Sequence, residues 1–522
     1  MVKIKKLLKL VLVGVCILGL LFSSMVGFGA QKSKYSFTLT IMAQYFGTEP
    51  APANSPVILK AEEYLKTNLE FTWVPADSYK DKLNIMLASG KLPMVVYVPD
   101  NSASFVAACK AGAFWELGPY IKQYKNLRTI PDIVLWNSSI DGKIYGIPRS
   151  RTLGRNGIVY RKDWAKNVGI TKLETIDDLY NMLKKFTYND PDKNGKNDTY
   201  GMYECSYNGP FYIAVVWFGG PNGWGLNKNG QLVPSFLTNA YMEALKFWRK
   251  LYQEKIFNHD FPSVPGARWE DYYSQGKAGV KIDVIDSANR IYNGLLKNGL
   301  IPKDAKDTDI MDIKLAVKTK YGLRNMPTAG YAGYLMVSKT SVKDMNTFKK
   351  VMSILDKFGD KTMQDLFGYG LPNRHYKLVD GKIDPIQNLP AELSREISGV
   401  NQVLHFYPTN GGTPRYMTPL LQLQADMQAL NEKLNILVPN PALPLQAMSQ
   451  TYIKRGVTLD NMIEDARVKY IAGQLNDQGF KKVLDNWRKQ GGDQIIKEVN
   501  ALYRQYRKNI PYKEDLYKIL NP

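Results

Sequence analysis

The segment "DPDKNGKNDTYG", residues 190–201, places oxygen-bearing side chains at alternate positions, with Gly195 in sixth place. Calcium loops have this spacing, because Ca²⁺ takes six to eight oxygen ligands from a chain that turns at a glycine. Three carboxylates so close together repel one another unless a cation lies between them. The alternative is a polar turn that binds no metal. If calcium binds, the ligands from the first to the ninth position are Asp190, Asp192, Asn194, the carbonyl of Lys196, and Asp198.

The twelfth position of this loop does not fit a complete EF-hand. An EF-hand places a bidentate glutamate there, and this sequence has Gly201. Oxygen ligands of this kind do not create an open position that activates water. The loop therefore predicts a structural Ca²⁺ rather than a catalytic metal.

Motifs of the common catalytic sites do not occur in the sequence. It contains no HExxH, CxxC, GxxxxGK[ST] or GxSxG pattern, and only three histidines. A carboxylate pair for sugar hydrolysis stays open, because Asp and Glu are numerous and sequence does not give their spatial separation.

Aromatic residues provide the second chemical signal. Phe, Trp and Tyr make up 12% of the chain, with 33 tyrosines, and several lie among Gly, Pro and Asn. Flat rings beside polar groups suit sugars, whose C–H faces pack on the rings while their hydroxyls form hydrogen bonds. Core packing is the alternative for each one. The candidates are Trp217 and Trp224 in "WFGGPNGWG", Trp269 in "GARWEDYY", and Tyr331 in "TAGYAGY".

The elements that would position these residues alternate between strands and helices. Residues 35–46 and 94–98 read as strands, and a helix between them ends at Gly90. Thr175 and Asp178 form a capping-box pattern at the start of the helix that precedes the acidic loop. This β-α-β alternation predicts an α/β fold, and the part after about residue 415 reads as helices.

The first 29 residues have the layout of a signal peptide. Four lysines precede an apolar run that leads to small residues before Ala30, although an uncleaved anchor has a similar length. Cys16 does not follow a small residue, so a lipid anchor there is not expected. Only Cys109 and Cys205 remain after the leader, so disulfides do not frame the fold.

The net charge of +21 is spread along the chain. A nucleic-acid binder would concentrate this charge in a recognisable module, and none occurs, so no nucleic-acid partner is expected. An exported basic protein can lie near anionic wall or lipid surfaces or bind acidic ligands. Solvated lysines on helix faces are the simpler interpretation.

The order of these features resembles the family 1 extracellular solute-binding proteins, in particular the branch of complex-saccharide and alginate-oligosaccharide receptors. The stretches that carry the resemblance extend over nearly the whole chain after the leader: "YKDKLNIMLASGKLP", "DGKIYGIPRSR", "VYRKDWAKNVGITKLETIDDLYNMLKKFTYNDPDKNGKNDTYG", "WFGGPNGW", "QGKAGV" and "GYGLPNRHYKLVDGK".

The resemblance implies a two-lobed, periplasmic-binding-protein-like (type II) fold with a hinge and a ligand cleft between the lobes. The expected N-terminal lobe comprises residues 30–152 and 325–385, and the C-terminal lobe comprises residues 153–324 and 386–522. In the family's calcium-binding branch, a glutamate follows the loop position of Asp198. Here Thr199 takes that place and becomes the candidate to complete the metal shell.

The resemblance also implies a function. The chain would be the monomeric, exported and cell-surface-associated component of an ABC importer that binds a neutral or acidic oligosaccharide and delivers it to the permease. The alternatives are a secreted carbohydrate-active enzyme and a wall-associated, calcium-dependent carbohydrate-binding protein. Candidate cleft residues lie at strand ends or in loops: Tyr45, Asn101, Arg151, Trp217, Trp224, Trp269, Tyr331 and Arg374.

Overall fold

The computed structural model describes residues 34–46, 49–386, 389–404 and 412–522. The predicted signal peptide, residues 1–29, lies outside this range. In the described part of the chain, no helix has both the length and the apolar composition needed to cross a membrane.

The first sheet has the strand order β2-β1-β3-β11-β4. Strands β1, β2 and β3 are parallel, while β11 runs antiparallel to both β3 and β4. All of β3 is buried, as the apolar run at residues 94–98 predicted. The strands are β1 (Thr38–Tyr45), β2 (Asn68–Pro75), β3 (Val95–Val98), β4 (Gly146–Ser150) and β11 (Tyr331–Val337).

The second sheet has the order β10-β5-β9-β6. β5 is antiparallel to both β10 and β9, and β6 is parallel to β9. Two hairpins, β7–β8 and β12–β13, stand apart from the large sheets. The strands are β5 (Asn156–Arg161), β6 (Tyr200–Met202), β7 (Trp224–Leu226), β8 (Leu232–Pro234), β9 (Ala278–Val284), β10 (Met311–Lys314), β12 (Tyr376–Val379) and β13 (Lys382–Pro385).

Helices connect these strands and form the C-terminal part. Before β11 they are α1 (Pro56–Leu65), α2 (Tyr79–Ser89), α3 (Ala103–Lys110), α4 (Gly118–Ile121), α5 (Asp132–Asn137), α6 (Lys162–Asn167), α7 (Ile176–Tyr188), α8 (Gly209–Trp217), α9 (Asn239–Gln253), α10 (Trp269–Ser274), α11 (Ser287–Lys297) and α12 (Asp307–Ile310). After β11 they are α13 (Met345–Lys357), α14 (Lys361–Tyr369), α15 (Ala391–Glu396), α16 (Pro419–Lys433), α17 (Leu443–Gln446), α18 (Gln450–Ile471), α19 (Asp477–Trp487) and α20 (Asp493–Tyr506).

Helix ends follow the local sequence. The Ser55 hydroxyl accepts a hydrogen bond from the Val57 amide at the start of α1, and Gly90 ends α2 with a left-handed backbone. Thr175 and Asp178 form both bonds of the predicted capping box at the start of α7. These bonds satisfy amides that have no partner inside the helix.

Separate hydrophobic cores define the two lobes. One core surrounds the first sheet together with α13 and α14. Two others surround the second sheet and the C-terminal helices. Val400, Val403 and Leu404 pack in the core of the first lobe, so the predicted boundary at residues 385 and 386 is wrong. The boundary lies between Leu404 and α16, because α16 contacts β10 and α11 of the second lobe.

Two of the three segments that cross between the lobes lie side by side. They run from β4 to β5 and from β10 to β11, and the third crossing lies between Leu404 and α16. The Thr328 hydroxyl donates to the Thr152 carbonyl at 2.9 Å, and the Asn156 side chain donates to the Met326 carbonyl at 2.8 Å. A Cβ on Gly154 would lie 2.7 Å from the Gln428 carbonyl, so α16 approaches the hinge closely enough to require glycine there.

Candidate ligand-binding cleft

The two large sheets turn corresponding edges toward the crossing segments. In the first lobe, the carboxyl ends of β1 and β3 meet the start of β11 and the end of β4, since Tyr331 pairs with Ser150. In the second lobe, the end of β9 meets the start of β5, where Asn156 pairs with Val284. Open α/β sheets bind ligands outside such strand ends. The cleft edges therefore lie on either side of the β4–β5 crossing.

Tyr97 is the centre of the first-lobe edge. Its hydroxyl accepts a hydrogen bond from the Gln44 amide at 3.1 Å and donates to the Ala332 carbonyl at 3.2 Å. The Arg149 guanidinium lies 5.5 Å from the centre of the Tyr97 ring. Nearby, the Tyr334 hydroxyl donates to Asn101 at 2.9 Å. Both rings are buried, so these contacts fix the packing beneath the first-lobe edge and do not expose an aromatic face.

Two guanidinium groups at this edge have no acidic partner. Arg149 is 3% exposed, its Nε is buried without a hydrogen-bond partner, and burial lowers its pKa. Burial, followed by the charges of Arg149 and Arg155, lowers the pKa of Arg151 to about 10. Within the described residues, neither Arg149 nor Arg151 forms an ion pair with a carboxylate. A buried cation without a counter-charge is costly, so an anionic ligand group would be stabilised here.

The second-lobe edge presents carboxylates that already have cationic partners. Asp286 accepts two hydrogen bonds from Arg155, at 2.8 and 2.7 Å, and it also pairs with Arg290. Burial raises the pKa of Asp283, which lies 3.9 Å from the Lys281 ammonium.

Tyr207 adds an aromatic surface to the second-lobe edge. Tyr207 is 47% exposed as a residue, and burial followed by the nearby Asp283 raises the pKa of its hydroxyl to about 12. Behind it, the ring of Trp269 lies 6.1 Å away between centroids. Tyr207 therefore covers a buried tryptophan and presents a ring of its own.

Several predicted cleft residues come together at the first-lobe edge. Asn101 holds Tyr334, and the Tyr331 ring lies 4.9 Å from that of Tyr334. The backbone amide of Arg151 donates to the Gly330 carbonyl at 2.9 Å. Tyr45 lies at the end of β1. Their contribution to binding remains a prediction.

The three predicted tryptophans lie in the core of the second lobe. Trp217 is fully buried, Trp224 donates to Gln446 at 3.1 Å, and Trp269 donates to the Tyr203 carbonyl at 2.5 Å. A ring without exposed surface cannot pack on a sugar, so predicting these residues as cleft aromatics was wrong. The glycines around Trp217 mark close packing instead, because a Cβ on Gly220 would meet Val215 and Ala240.

Arg374 already has an acidic partner. It lies before β12 and forms a two-pronged ion pair with Glu396, which also pairs with His375. In the described structure, no hydrogen bond or ion pair joins it to the cleft edge. This ion pair supports a structural role for Arg374, in contrast to Arg151, which forms no ion pair with a carboxylate among the described residues.

The acidic loop lies at the opposite edge of the second sheet, between α7 and β6. The Asn194 side-chain amide donates to Asp192 at 2.9 Å and to Asp198 at 3.1 Å, so it lies between these carboxylates. Asp190 accepts from the backbone amides of Asn194 and Gly195. Burial raises the pKa of Asp192, as do Asp190 and Asp198. Asn194 thus donates hydrogen bonds to all three acidic side chains of the loop.

Two observations limit the loop as a metal site. The Thr199 hydroxyl is buried and donates to the Phe186 carbonyl at 2.7 Å, so this hydroxyl does not complete a metal shell as predicted. Among the described residues, no three or more His, Cys, Asp or Glu side chains stand close enough together to hold a metal ion. Rotation of the Asn194 amide would be needed to turn its oxygen toward the carboxylates.

Sequence reasoning missed Tyr97, Arg149, Tyr207 and Tyr334. Tyr97 and Tyr334 lie in apolar strands, where an aromatic residue indicates core packing. Arg149 carried a usable signal, because it lies on β4 two residues before Arg151, which directly follows the strand, and residues two apart in an extended chain share a face.

Comparisons with known proteins agree with this geometry. A family model of the bacterial extracellular solute-binding proteins matches residues 47–350. Lipoprotein LipO of Bacillus subtilis (strain 168) is 40% identical over 473 residues, covering 90% of this chain and 92% of LipO. From the same organism, the polygalacturonan/rhamnogalacturonan-binding protein YtcQ is 33% identical over 464 residues, covering 87% of this chain and 89% of YtcQ.

A solved structure with the same fold is that of the S. pneumoniae ABC-transporter substrate-binding protein FusA, an EF-hand mutant in complex with fructo-nystose. It matches with a TM-score of 0.69 at 18% identity, covering 90% of this chain and 100% of that chain. The two-lobed type II fold is thereby confirmed. The chain belongs to the bacterial extracellular solute-binding proteins.

Proposed function

We propose that this chain is the substrate-binding component of an ABC importer and captures an oligosaccharide between its lobes. The observation that carries the proposal is the pair of facing sheet edges on either side of the crossing segments, with the partly exposed Arg151 at the first edge and the exposed Tyr207 at the second. A ligand that contacts both edges favours the closed state, which is then delivered to the permease.

This mechanism is tested by small-angle scattering and product analysis with candidate oligosaccharides. The radius of gyration should fall on binding, and the sugar should be recovered intact. Product formation at catalytic turnover would instead support a secreted carbohydrate-active enzyme. Binding without compaction would support a carbohydrate-binding protein that does not close.

We propose further that the oligosaccharide is acidic. In the described part of the chain, Arg149 and Arg151 lack acidic partners, whereas the nearby Asp286 is already paired with Arg155. YtcQ, a relative over most of this chain, is named for binding polygalacturonan and rhamnogalacturonan. A guanidinium group matches the two oxygens of a uronate carboxylate.

Calorimetry with galacturonic-acid oligomers and with neutral galactose oligomers of equal length tests the charge preference. Arg151→Gln should weaken binding of the acidic series by about 30-fold, and of the neutral series by less than about threefold. Arg128→Gln, an exposed first-lobe control, should change neither. Equal losses of affinity for both series would show that Arg151 does not bind a carboxylate.

We propose that the acidic loop binds a structural Ca²⁺. The support is that Asp192 and Asp198 both accept from the Asn194 side-chain amide, that Asp190 accepts from the Asn194 backbone amide, and that an EF-hand is named for FusA. The Lys196 carbonyl would add a further oxygen, and a bound cation would relieve repulsion among the carboxylates. Because the loop and the cleft lie at opposite edges of the sheet, calcium would stabilise the second lobe without contacting the sugar.

Calcium at a hundredfold excess over its Kd should stabilise the protein by about 2.7 kcal/mol, measured as a higher Tm than in chelator. Asp192→Asn should abolish this difference. Asp485→Asn, at an exposed position in α19, should keep it. An unchanged melting curve in chelator, with no bound calcium by elemental analysis, would show that the loop is a polar turn.

We propose that the protein acts outside the cell as a monomer. Membership of an extracellular family supports export, and LipO is named a lipoprotein. Cys16 follows Val15, which is not a small residue, so we predict that Cys16 carries no lipid. Metabolic labelling with a fatty acid should give no label that depends on Cys16. Sedimentation equilibrium should give the monomer mass.

A further inference from the structure

A groove lined by lysines lies on the first lobe, between the end of α1 and α13. Its volume is about 400 Å³, and no acidic side chain lines it. The lining residues are Leu65, Lys66, Thr67, Lys349, Lys350, Ser353, Ile354 and Lys357. The groove therefore concentrates positive charge that is otherwise spread along the chain.

The lysines of this groove have no acidic partners in the described part of the chain. The Lys350 ammonium lies 4.9 Å from the centre of the Phe37 ring, and that of Lys357 lies 5.7 Å from the centre of the Tyr64 ring. Such contacts hold the side chains in place and leave their charges uncompensated.

The acidic groups near the groove are engaged elsewhere. Glu63 pairs with Lys60. Asp356 accepts hydrogen bonds from the backbone amides of Asn126 and Leu127, and Asp360 accepts from Asn126 and the Tyr64 hydroxyl. None of these carboxylates lines the groove, and the charged side chains that line it are all lysines.

The groove lies where the chain enters the first lobe. The Lys34 amide donates to the Asn68 side chain at 3.0 Å, and Asn68 follows directly after the groove residues Lys66 and Thr67. Only residues 30–33 separate Lys34 from the predicted leader. Four extended residues span at most about 14 Å. If the leader stays as an uncleaved anchor, the alternative to a cleaved signal peptide, it would hold this face near the lipid surface.

The groove and the cleft lie at opposite ends of the first sheet. The groove is next to the start of β2, and the cleft edge is at the carboxyl end of the parallel β1 and β3. The eight residues of β1 span about 26 Å. A surface bound at the groove would leave the cleft facing outward.

We propose that the lysine groove docks the first lobe on anionic phospholipid headgroups, with the cleft turned away from the bilayer to meet its ligand. The attraction is electrostatic, because phosphate groups at the surface face uncompensated ammonium groups. It weakens as salt screens the charges, so the docked protein can detach and turn toward a permease.

The test uses the processed chain from residue 30 and vesicles of phosphatidylcholine with or without 30% phosphatidylglycerol. A groove variant replaces Lys66, Lys349, Lys350 and Lys357 with Gln. A control variant replaces Lys481, Lys482, Lys489 and Lys497, exposed lysines of the C-terminal helices, with Gln and so changes the net charge equally. Vesicle binding is measured by cosedimentation at low and physiological salt, and Tm and cleft-ligand affinity are measured in parallel.

The groove variant should lose binding to anionic vesicles by about tenfold or more, and the control by less than about threefold. Tm and ligand affinity should stay unchanged in both. Equal losses in the two variants would show that only diffuse net charge acts. The proposal would be overturned if the unmodified chain did not bind anionic vesicles. This includes the case in which it binds a poly(glycerol phosphate) polymer instead.

Discussion

The two edges of the cleft differ in whether their charged side chains are paired. In the second lobe, Asp286 is held between Arg155 and Arg290, and Asp283 lies near Lys281. In the first lobe, Arg149 and Arg151 are largely buried and lack a carboxylate partner among the described residues. Unpaired charge at the cleft is therefore cationic and belongs to the first lobe.

This difference indicates that the two lobes recognise different features of the ligand. A buried guanidinium without a counter-charge costs stability, so its retention fits a ligand that supplies the missing carboxylate. The second lobe offers Tyr207 and charges that are already neutralised, which suits a sugar ring of either type. Selection by charge would come from the first lobe, and stacking from the second.

The largest expected effect tests whether Glu204, a carboxyl group buried in the second lobe, is protonated and so carries no charge. Glu204 is 5% exposed, and burial raises its pKa to about 8. This pKa lies above that of Glu204 in the unfolded chain. The protonated side chain therefore makes its full contribution to stability below about pH 4.5, and this contribution is lost as the pH rises through 8. Glu204→Gln should therefore match the unmodified chain near pH 5 and exceed its free energy of unfolding by on the order of 4 kcal/mol at pH 9.

Denaturant unfolding at both pH values measures this change. Glu70→Gln, at an exposed position in β2, is the matched control and should show no such pH dependence. If Glu204→Gln destabilised the protein equally at pH 5 and pH 9, Glu204 would be ionised throughout. The second lobe would then contain a buried negative charge, and the comparison between the edges would fail.

The next effect tests whether the first-lobe edge is held rigid before the ligand binds. Gly333 has a φ of +80°, and a Cβ there would lie 2.5 Å from the Tyr97 ring. Gly333→Ala should displace Tyr97 and with it the contacts to Gln44 and Arg149. The expected cost is about 3 kcal/mol of stability, from backbone strain and overpacking together.

Gly322→Ala separates these two causes. Gly322 has a φ of +86° and nothing within 4 Å of an added Cβ, so it carries the strain without the collision. Its stability should fall by about 1 kcal/mol, with oligosaccharide affinity unchanged. Gly333→Ala should also lose affinity, measured by calorimetry below its Tm. Unchanged affinity in that variant would show that the position of Tyr97 does not matter for binding.

Local features could be predicted from sequence because their partners are close in the chain. The Thr175–Asp178 capping box and the turn at Gly90 depend on bonds within a few residues. The hydrogen bonds from Asn194 to Asp190, Asp192 and Asp198 are local in the same way. The α/β alternation also followed from short periodic segments.

The cleft could not be derived in this manner, since its properties depend on distant partners. Arg155 and Asp286 are far apart in sequence, so nothing near either one shows that they pair. Trp217 and Arg151 both looked like cleft residues, and only tertiary packing separates the buried ring from the unpaired cation. The lobe boundary between Leu404 and α16 was missed for the same reason.

The smallest expected effect comes from adding free charge to the second-lobe edge. Asp286→Asn removes the carboxylate that pairs with Arg155, whereas Arg290 keeps its second partner, Glu270. Arg155 then joins Arg149 and Arg151 as a third unpaired guanidinium. Binding of a galacturonic-acid oligomer should strengthen by about fivefold, or about 1 kcal/mol, at low salt, while binding of the neutral series stays the same.

The control for this variant is Asp271→Asn, which breaks an exposed pair with Arg268 in the same lobe and should leave affinity unchanged. Asp286→Asn should also lower stability by about 1 kcal/mol, because a partly buried cation loses its partner. Titration calorimetry at two salt concentrations measures the affinities. Weaker binding of both series would mean that Asp286 contacts the sugar directly, and the second lobe would then select the ligand as much as the first.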